Sequence, residues 1–314
     1  MRVLFAGSPG IAVPALEALA RGGCGAFALV GLLTNADSPR GRSGRPEPTE
    51  CAAAAQCLSI PVLKPEKLDG EARAQVAALE PDLLVSFAYG KIFGPKFLAL
   101  FPAGGINVHP SLLPKYRGAT PIPAAIISRE TETGISIQRL APEMDSGDIL
   151  VQEAVPLDGR ETAASLGETM ARRAAEMLPA LLRGLAAGAV EARPQDHGAA
   201  TYCSLIAKED GLIDWGRSAG EIDAQIRAFD PWPLSWTMHG GLQLLILRAE
   251  AQGSDGNAAA PGLVLGKDRK KGILIQTGDG ILAVSELQYQ AKKALGWQAF
   301  LNGARNFIGA RLGN

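Results

Sequence analysis

Long apolar runs are missing: no stretch of the 314 residues approaches the ~18 consecutive apolar residues that cross a membrane. The N-terminal run from Val3 stops at Gly7, too short for a signal-peptide core, so a cytoplasmic or organelle-matrix location and no membrane partner are expected. Cysteine is scarce. Cys24, Cys51, Cys57 and Cys203 are unevenly spaced and include no Cys-x-x-Cys pair, which argues against a zinc clamp or redox couple and for reduced, mostly buried thiols. His197 and His239 have no spaced ligand partners, so no metal is expected. Net charge is almost absent at −1, and 47% hydrophobic with 20% charged residues describes an ordinary globular protein. The balance hides a polarity. Residues 191 to 265 carry five Lys/Arg against ten Asp/Glu, whereas residues 266 to 314 carry eight against three. Such a second half suits a phosphate backbone lying on one face, or a solvated lysine-rich hairpin.

Three nucleotide and hydrolase motifs are also missing. The turn after the first apolar run is Gly7-Ser8-Pro9-Gly10, not the Gly-x-Gly-x-x-Gly/Ala of dinucleotide-binding enzymes. Matches to that pattern at Gly23 and Gly278 do not open helices. Walker A and Gly-x-Ser-x-Gly sequences are absent.

What is present reads as two domains, given ~150 residues per domain. Apolar runs at residues 2–6, 27–33, 60–63, 82–88 and 134–140 alternate with helical segments near 51–58, 71–79, 95–100 and from about 123, with a further strand carrying Asn107. This βα alternation predicts a doubly wound, mostly parallel sheet with its ligand outside the C-terminal strand ends. A long helix is expected over 162–187, ending a domain of residues 1–188, and a linker over 189–208. Residues 209–314 change texture, with a helix near 219–228 and short strands at 242–247, 262–265, 273–277 and 281–287. Hairpin turns at Gly240-Gly241 and Asp279-Gly280 predict a small OB-like antiparallel β-barrel. Between Thr34 and Glu50 runs a long loop whose Arg40, Arg42 and Arg45 suit an anionic partner.

The chemistry concentrates in two stretches. Asn107-Val108-His109 lies on a strand that stops at Pro110, so residues i and i+2 face one side. Asp145 comes from a second turn flanked by glycine, Glu143-Met144-Asp145-Ser146-Gly147-Asp148. An amide and an imidazole can stabilise the oxyanion of acyl transfer, and a carboxylate beside the imidazole can hold a proton-shuttling water and keep the histidine charged. These residues alone fit acyl transfer, hydrolysis or proton transfer equally well.

At this point the sequence resembles the folate-dependent formyltransferases. Their signature Asn-x-His-x-Ser-Leu-Leu-Pro-x-x-Arg-Gly stands here as Asn107 to Gly118, followed by Asp145-Ser146-Gly147-Asp148. The Arg-bearing loop, the long C-terminal extension and Arg227-Ala228-Phe229-Asp230-Pro231-Trp232-Pro233 resemble the members that formylate methionine on initiator tRNA. The resemblance implies a formyltransferase-type Rossmann-like domain holding 10-formyltetrahydrofolate, and an OB-like domain helping to grip initiator methionyl-tRNA, with the chain acting as a monomer. It implies that Asn107 and His109 polarise the formyl carbonyl and that Asp145 assists His109. Phe87, Tyr89, Gly90, Lys91, Ile92, Ser111, Leu112, Leu113, Pro114 and Asp145 would line the folate pocket. Arg40, Arg42, Arg45, Lys208, Lys270 and Lys271 would meet tRNA. The family's loop carries further lysines where Ser43-Gly44-Arg45 and Glu50 stand here, so its basic character is reduced. A sugar-nucleotide N-formyltransferase, a formyltetrahydrofolate hydrolase and a non-enzymatic nucleic-acid binder are the alternatives.

Overall fold

The computed structural model describes residues 1 to 22, 25 to 39, 44 to 253 and 259 to 313. Strand β1 (Arg2–Ala6) is buried from Val3 to Ala6, the placement its apolar run demands. The chain continues through α1 (Val13–Arg21) to β2 (Ala28–Leu33), and the two-residue strands β3 (Ser38–Pro39) and β4 (Pro46–Glu47) pair antiparallel. Thr49 caps α2 (Glu50–Cys57), its Oγ1 accepting the Ala52 N–H at 3.1 Å and lying 2.7 Å from Thr34 Oγ1. Next come β5 (Val62–Leu63), α3 (Gly70–Ala77) capped by Asp69, β6 (Leu83–Phe87), α4 (Pro95–Leu98) and β7 (Gly105–His109). Beyond them lie β8 (Arg117–Gly118), α5 (Pro121–Ile127), β9 (Glu132–Arg139), β10 (Ile149–Pro156), α6 (Ala163–Ala186) and β11 (Tyr202–Cys203).

Among the described residues, seven of these strands form one sheet in the order β10-β9-β7-β6-β1-β2-β5. β1, β2, β5, β6 and β7 run parallel, so the order reverses at β1. That reversal opens the crevice where such sheets take ligands. The sequence reading placed a strand at 134–140 but not its direction: β9 runs antiparallel to β7, and the unanticipated β10 runs antiparallel to β9. The run Ile149-Leu150-Val151 is short and loses its apolar character at Gln152, so pairing with β9 rather than periodicity makes it a strand. Leu4, Leu33, Leu84, Val76, Tyr89, Phe97 and Phe101 form a packed apolar cluster beside the sheet. Each such side chain contributes about 1.5–3 kcal/mol by leaving water.

The chain divides into two compact units, one of Met1–Pro121, Glu132–Pro156 and Gly167–Cys203, the other of Ile122–Thr131, Leu157–Leu166 and Ser204–Asn314. The second unit contains α7 (Ala219–Ala228), opened by a capping box between Ser218 and Glu221. Its strands are β12 (Ser235–His239), β13 (Leu242–Gln252), β14 (Val264–Asp268), β15 (Gly272–Gln276), β16 (Ile281–Tyr289) and β17 (Leu295–Gly296), followed by α8 (Trp297–Gly303). They pair antiparallel in the order β12-β13-β16-β15-β14, with β17 on β16, giving the antiparallel β-domain expected. Both expected hairpins are present, at Gly240-Gly241 and Asp279-Gly280. Ile222, Ile226, Leu244, Ile246, Ile273, Val284 and Phe300 belong to its core. Among the described residues no helix is long and apolar enough to cross a membrane.

One histidine in this unit makes its stability pH-dependent. His239 packs edge-on against Phe307, and its Nδ1 lies 2.6 Å from the Tyr289 hydroxyl. Burial pushes the imidazole below its ordinary value of 6.5. The unfolded chain then binds the proton more tightly, so this stabilisation is complete above the ordinary value and is lost as pH falls through the lower folded-state value. Urea unfolding between about pH 7.5 and 5 should show a midpoint that drops with acid, and less steeply in His239→Gln. Equal slopes in the two proteins would remove His239 from the explanation.

Candidate active site

Two strands build one polar face. In the β7–β9 register Asn107 lies opposite Gln138 and His109 opposite Ser136, while Ile106, Val108, Ile135 and Ile137 alternate with them and are buried. The period of two thus puts four polar side chains on one side of the pair and Ile106, Val108, Ile135 and Ile137 on the other. The turn between β9 and β10 folds back over that face and delivers Asp145, which holds a positive φ of 52°.

Asp145 is the hub. Its Oδ1 accepts from Gln138 Nε2 at 2.9 Å and Asn107 Nδ2 at 3.2 Å. Its Oδ2 accepts from the Gly118 N–H at 2.9 Å and lies 3.5 Å from His109 Nδ1. His109 Nε2 sits 2.8 Å from the Tyr116 carbonyl. A carbonyl only accepts, so Nε2 carries a hydrogen and Nδ1 is the nitrogen whose protonation can change. The imidazole is 3% exposed, and that burial, the largest influence, pushes its pKa below 6.5 while the Asp145 charge and the Tyr116 carbonyl push back. Neutral His109 is therefore the favoured form. This reverses the charged histidine expected from the sequence, because desolvation outweighs the neighbouring carboxylate.

The other expected residues divide by environment. Gly90, just beyond β6, is exposed, and a Cβ there would meet nothing within 4 Å. Ile92 is 85% exposed. Phe87 and Tyr89 are buried; the Tyr89 ring stacks on Phe93 at 5.3 Å, while its carbonyl accepts from Asn35 Nδ2 at 3.1 Å. Lys91 donates to the carbonyls of Pro65 at 2.8 Å and Glu66 at 2.9 Å. Its ammonium thus braces a neighbouring loop. Ser111 is fully buried, donating from Oγ to Lys115 O at 2.6 Å. Ser136 Oγ donates to Ser111 O at 2.6 Å and accepts the Leu113 N–H at 3.1 Å, and Gln152 Nε2 donates to Leu113 O at 2.9 Å. Leu112 packs against Gly134, and Pro114 O accepts from Thr201 N at 3.2 Å. Residues 111–114 are therefore a braced support beside the polar face.

Arg40 and Arg42 lie outside the described residues. Arg45 is exposed next to β4, and Lys208 is exposed with its carbonyl accepting from Trp236 Nε1 at 3.3 Å. Lys270 and Lys271 are exposed in the β14–β15 turn, where Asp268 Oδ1 accepts both backbone N–H groups at 2.7 and 2.9 Å; Lys271 Nζ also donates to Gln252 Oε1.

Two buried site residues, Gln138 and Gln195, were not picked out from the sequence, and Arg117 was marked there only by its place in the Asn107–Gly118 signature. A usable sign of Gln138 was there, since Ile135-Ser136-Ile137-Gln138 alternates in the same period as Asn107 and His109. Gln195 lies in the stretch read as a linker, and nothing local marks it. Yet Tyr202 and Cys203 pair with Arg117 and Gly118, so the chain after α6 is packed against the site stretch up to Cys203. Among the described residues no three His, Cys, Asp or Glu gather where they could hold a metal ion.

A carboxylate held by two side-chain amides and a backbone N–H, with an unprotonated imidazole nitrogen 3.5 Å away, is a preorganised acid–base centre. The Formyl transferase family matches residues 1–182, and Formyl transferase, C-terminal domain, matches residues 205–305. The methionyl-tRNA formyltransferase of Treponema denticola is 47% identical, covering 98% of each chain, and that of Chloroflexus aggregans is 41% identical, covering 96% of this chain and 97% of the relative. Among solved structures, an N-formyltransferase from Helicobacter canadensis in complex with folinic acid and dTDP-3-aminofucose superposes with a TM-score of 0.65. It is 19% identical and covers 90% of this chain and 98% of its own, a likeness of fold. The chain belongs to the methionyl-tRNA formyltransferase family.

Proposed function

We propose that the protein transfers a formyl group from 10-formyltetrahydrofolate to the α-amino group of methionine esterified to initiator tRNA. The observation that carries the chemistry is the Asp145 hub, which fixes Asn107 and His109 on one face. The donor supplies an activated formyl carbon when bound. The exposed main chain of Gly90 and the open space beside it fit a flat ring held through main-chain groups. Arg45, Lys208, Lys270 and Lys271 offer exposed cations for tRNA phosphates.

Asn107 uses one amide hydrogen on Asp145, and its second is available to the formyl oxygen as that oxygen becomes negative. Neutral His109 turns an unprotonated Nδ1 toward Asp145 Oδ2, 3.5 Å away. Two acceptors so close invite a shared proton donor. The incoming amine is that donor: its proton passes to His109 Nδ1 as the new nitrogen–carbon bond forms, Asp145 stabilises the resulting imidazolium, and the imidazolium gives the proton to the donor nitrogen as that nitrogen's bond to the formyl carbon breaks and tetrahydrofolate leaves.

Incubating purified protein with 10-formyltetrahydrofolate and charged initiator tRNA, with an amino-sugar nucleotide as competing acceptor, tests the reading. Formylmethionyl-tRNA is the expected product. Preferential formylation of the sugar nucleotide, or donor turnover without any acceptor, would overturn it.

A further inference from the structure

The structure assigns Gln195 as a positioning residue for formyl transfer, an inference that rests on the function proposed above. Gln195 is 6% exposed and reaches three parts of the site at once. Its Nε2 lies 2.7 Å from Gly147 O, 2.9 Å from Asp145 O and 3.0 Å from Gln138 Oε1. Its Oε1 accepts from Arg117 Nη2 at 2.7 Å and Nε at 3.2 Å. An amide has two hydrogens, so three carbonyl oxygens share them and the group is saturated on both sides.

The gripped atoms matter more than their number. Asp145 and Gly147 both lie in the β9–β10 turn that aims the Asp145 carboxylate. Gln138 itself donates to that carboxylate at 2.9 Å, so the Gln195 amide fixes both the carboxylate's backbone and one of its donors. On the other side Arg117, 2% exposed, precedes Gly118, whose N–H holds Asp145 Oδ2 at 2.9 Å. Arg117 is in turn held by His197 Nδ1 at 3.1 Å and the Tyr202 hydroxyl at 3.4 Å. Gln195 thus joins the 145–147 turn to the Arg117-Gly118 strand and clamps the carboxylate between them. It touches no reacting atom. Its effect is the distance between Asp145 and His109, which sets how readily Nδ1 takes a proton.

Steady-state kinetics of Gln195→Leu and Gln195→Glu in the full chain test this. The glutamate variant keeps the Arg117 contact, now charge-assisted, but presents an oxygen to the Asp145 and Gly147 carbonyls. Both variants should lose about 10- to 100-fold in kcat, with KM for the folate donor and methionyl-tRNA changed by less than about threefold. In Gln195→Leu the acid limb of the kcat–pH profile should move to lower pH, because a displaced Asp145 no longer favours protonated His109, whereas the charge added in Gln195→Glu opposes that shift and the limb should move less. Should the leucine variant not fold, the glutamate variant decides. Wild-type kcat in a folded variant, or a kcat loss with an unmoved acid limb, would overturn the inference while leaving an active wild type's function intact. An inactive wild type would overturn the function and this inference with it.

Discussion

An Asp145→Asn variant should retain its fold and lose formyl transfer by about 10²- to 10⁴-fold in kcat. The substitution preserves shape but turns one oxygen into an NH₂ group. Placed at Oδ1, that group would confront the amide nitrogens of Gln138 and Asn107, which now lie 2.9 and 3.2 Å away as donors. Placed at Oδ2, it would face the Gly118 N–H at 2.9 Å but would find His109 Nδ1 as an acceptor. The second arrangement leaves fewer donors opposed and wins. It occupies the lone pair that must take the amine proton and removes the negative charge that stabilises the imidazolium. Stability should fall by about 1–3 kcal/mol, the cost of one buried donor left unmade. Steady-state transfer to methionyl-tRNA beside a urea unfolding curve gives both numbers. A kcat within about threefold of wild type would show that Asp145 is not the acid–base partner of His109.

Gly118→Ala should be strongly destabilising, costing about 3 kcal/mol or more. Gly118 sits at φ +120°, a conformation that other residues pay for in backbone strain. An added Cβ would also lie 2.1 Å from the Cys203 carbonyl oxygen, with the rest of that peptide behind it. A main-chain oxygen cannot rotate away as a side chain can, so relief requires parting β8 from β11. Parting them moves the Gly118 N–H off Asp145 and the Arg117 guanidinium off Gln195, so activity should fall with stability. Urea unfolding and transfer assays would register the two losses together. A variant within about 1 kcal/mol of wild type would mean that the β8–β11 pair yields easily.

The contrast between Asn107 and Gln195 explains how far the site was legible. Asn107 and His109 could be read from the chain because a strand's period of two is local: once the run is a strand, both side chains share a face. Gln138 obeys the same rule on a neighbouring strand, and only the antiparallel pairing of β9 with β7 brings it opposite Asn107. Gln195 obeys no periodic rule. It occupies a Gly- and Pro-bearing segment whose composition reads as a linker, and tertiary packing alone gives its amide five partners. Lys91 errs in the other direction. The resemblance puts it beside the expected pocket, but two carbonyls from residues 65 and 66 take its ammonium, a contact across more than twenty residues that no local pattern announces.

The sequence by itself determined the βα alternation, the antiparallel C-terminal strands with both hairpin turns, and the motif that puts an amide, an imidazole and a carboxylate within reach of one another. Periodicity, turn chemistry and spacing are properties of neighbouring residues, so they survive being read along a line. The tertiary structure decided the direction of β9, the existence of β10, the clamp around Asp145 and the direction in which the His109 pKa moves. A charge beside a histidine can be foreseen from a motif. How much water has been removed from around that histidine is a property of the whole packed fold, and here burial is the larger effect.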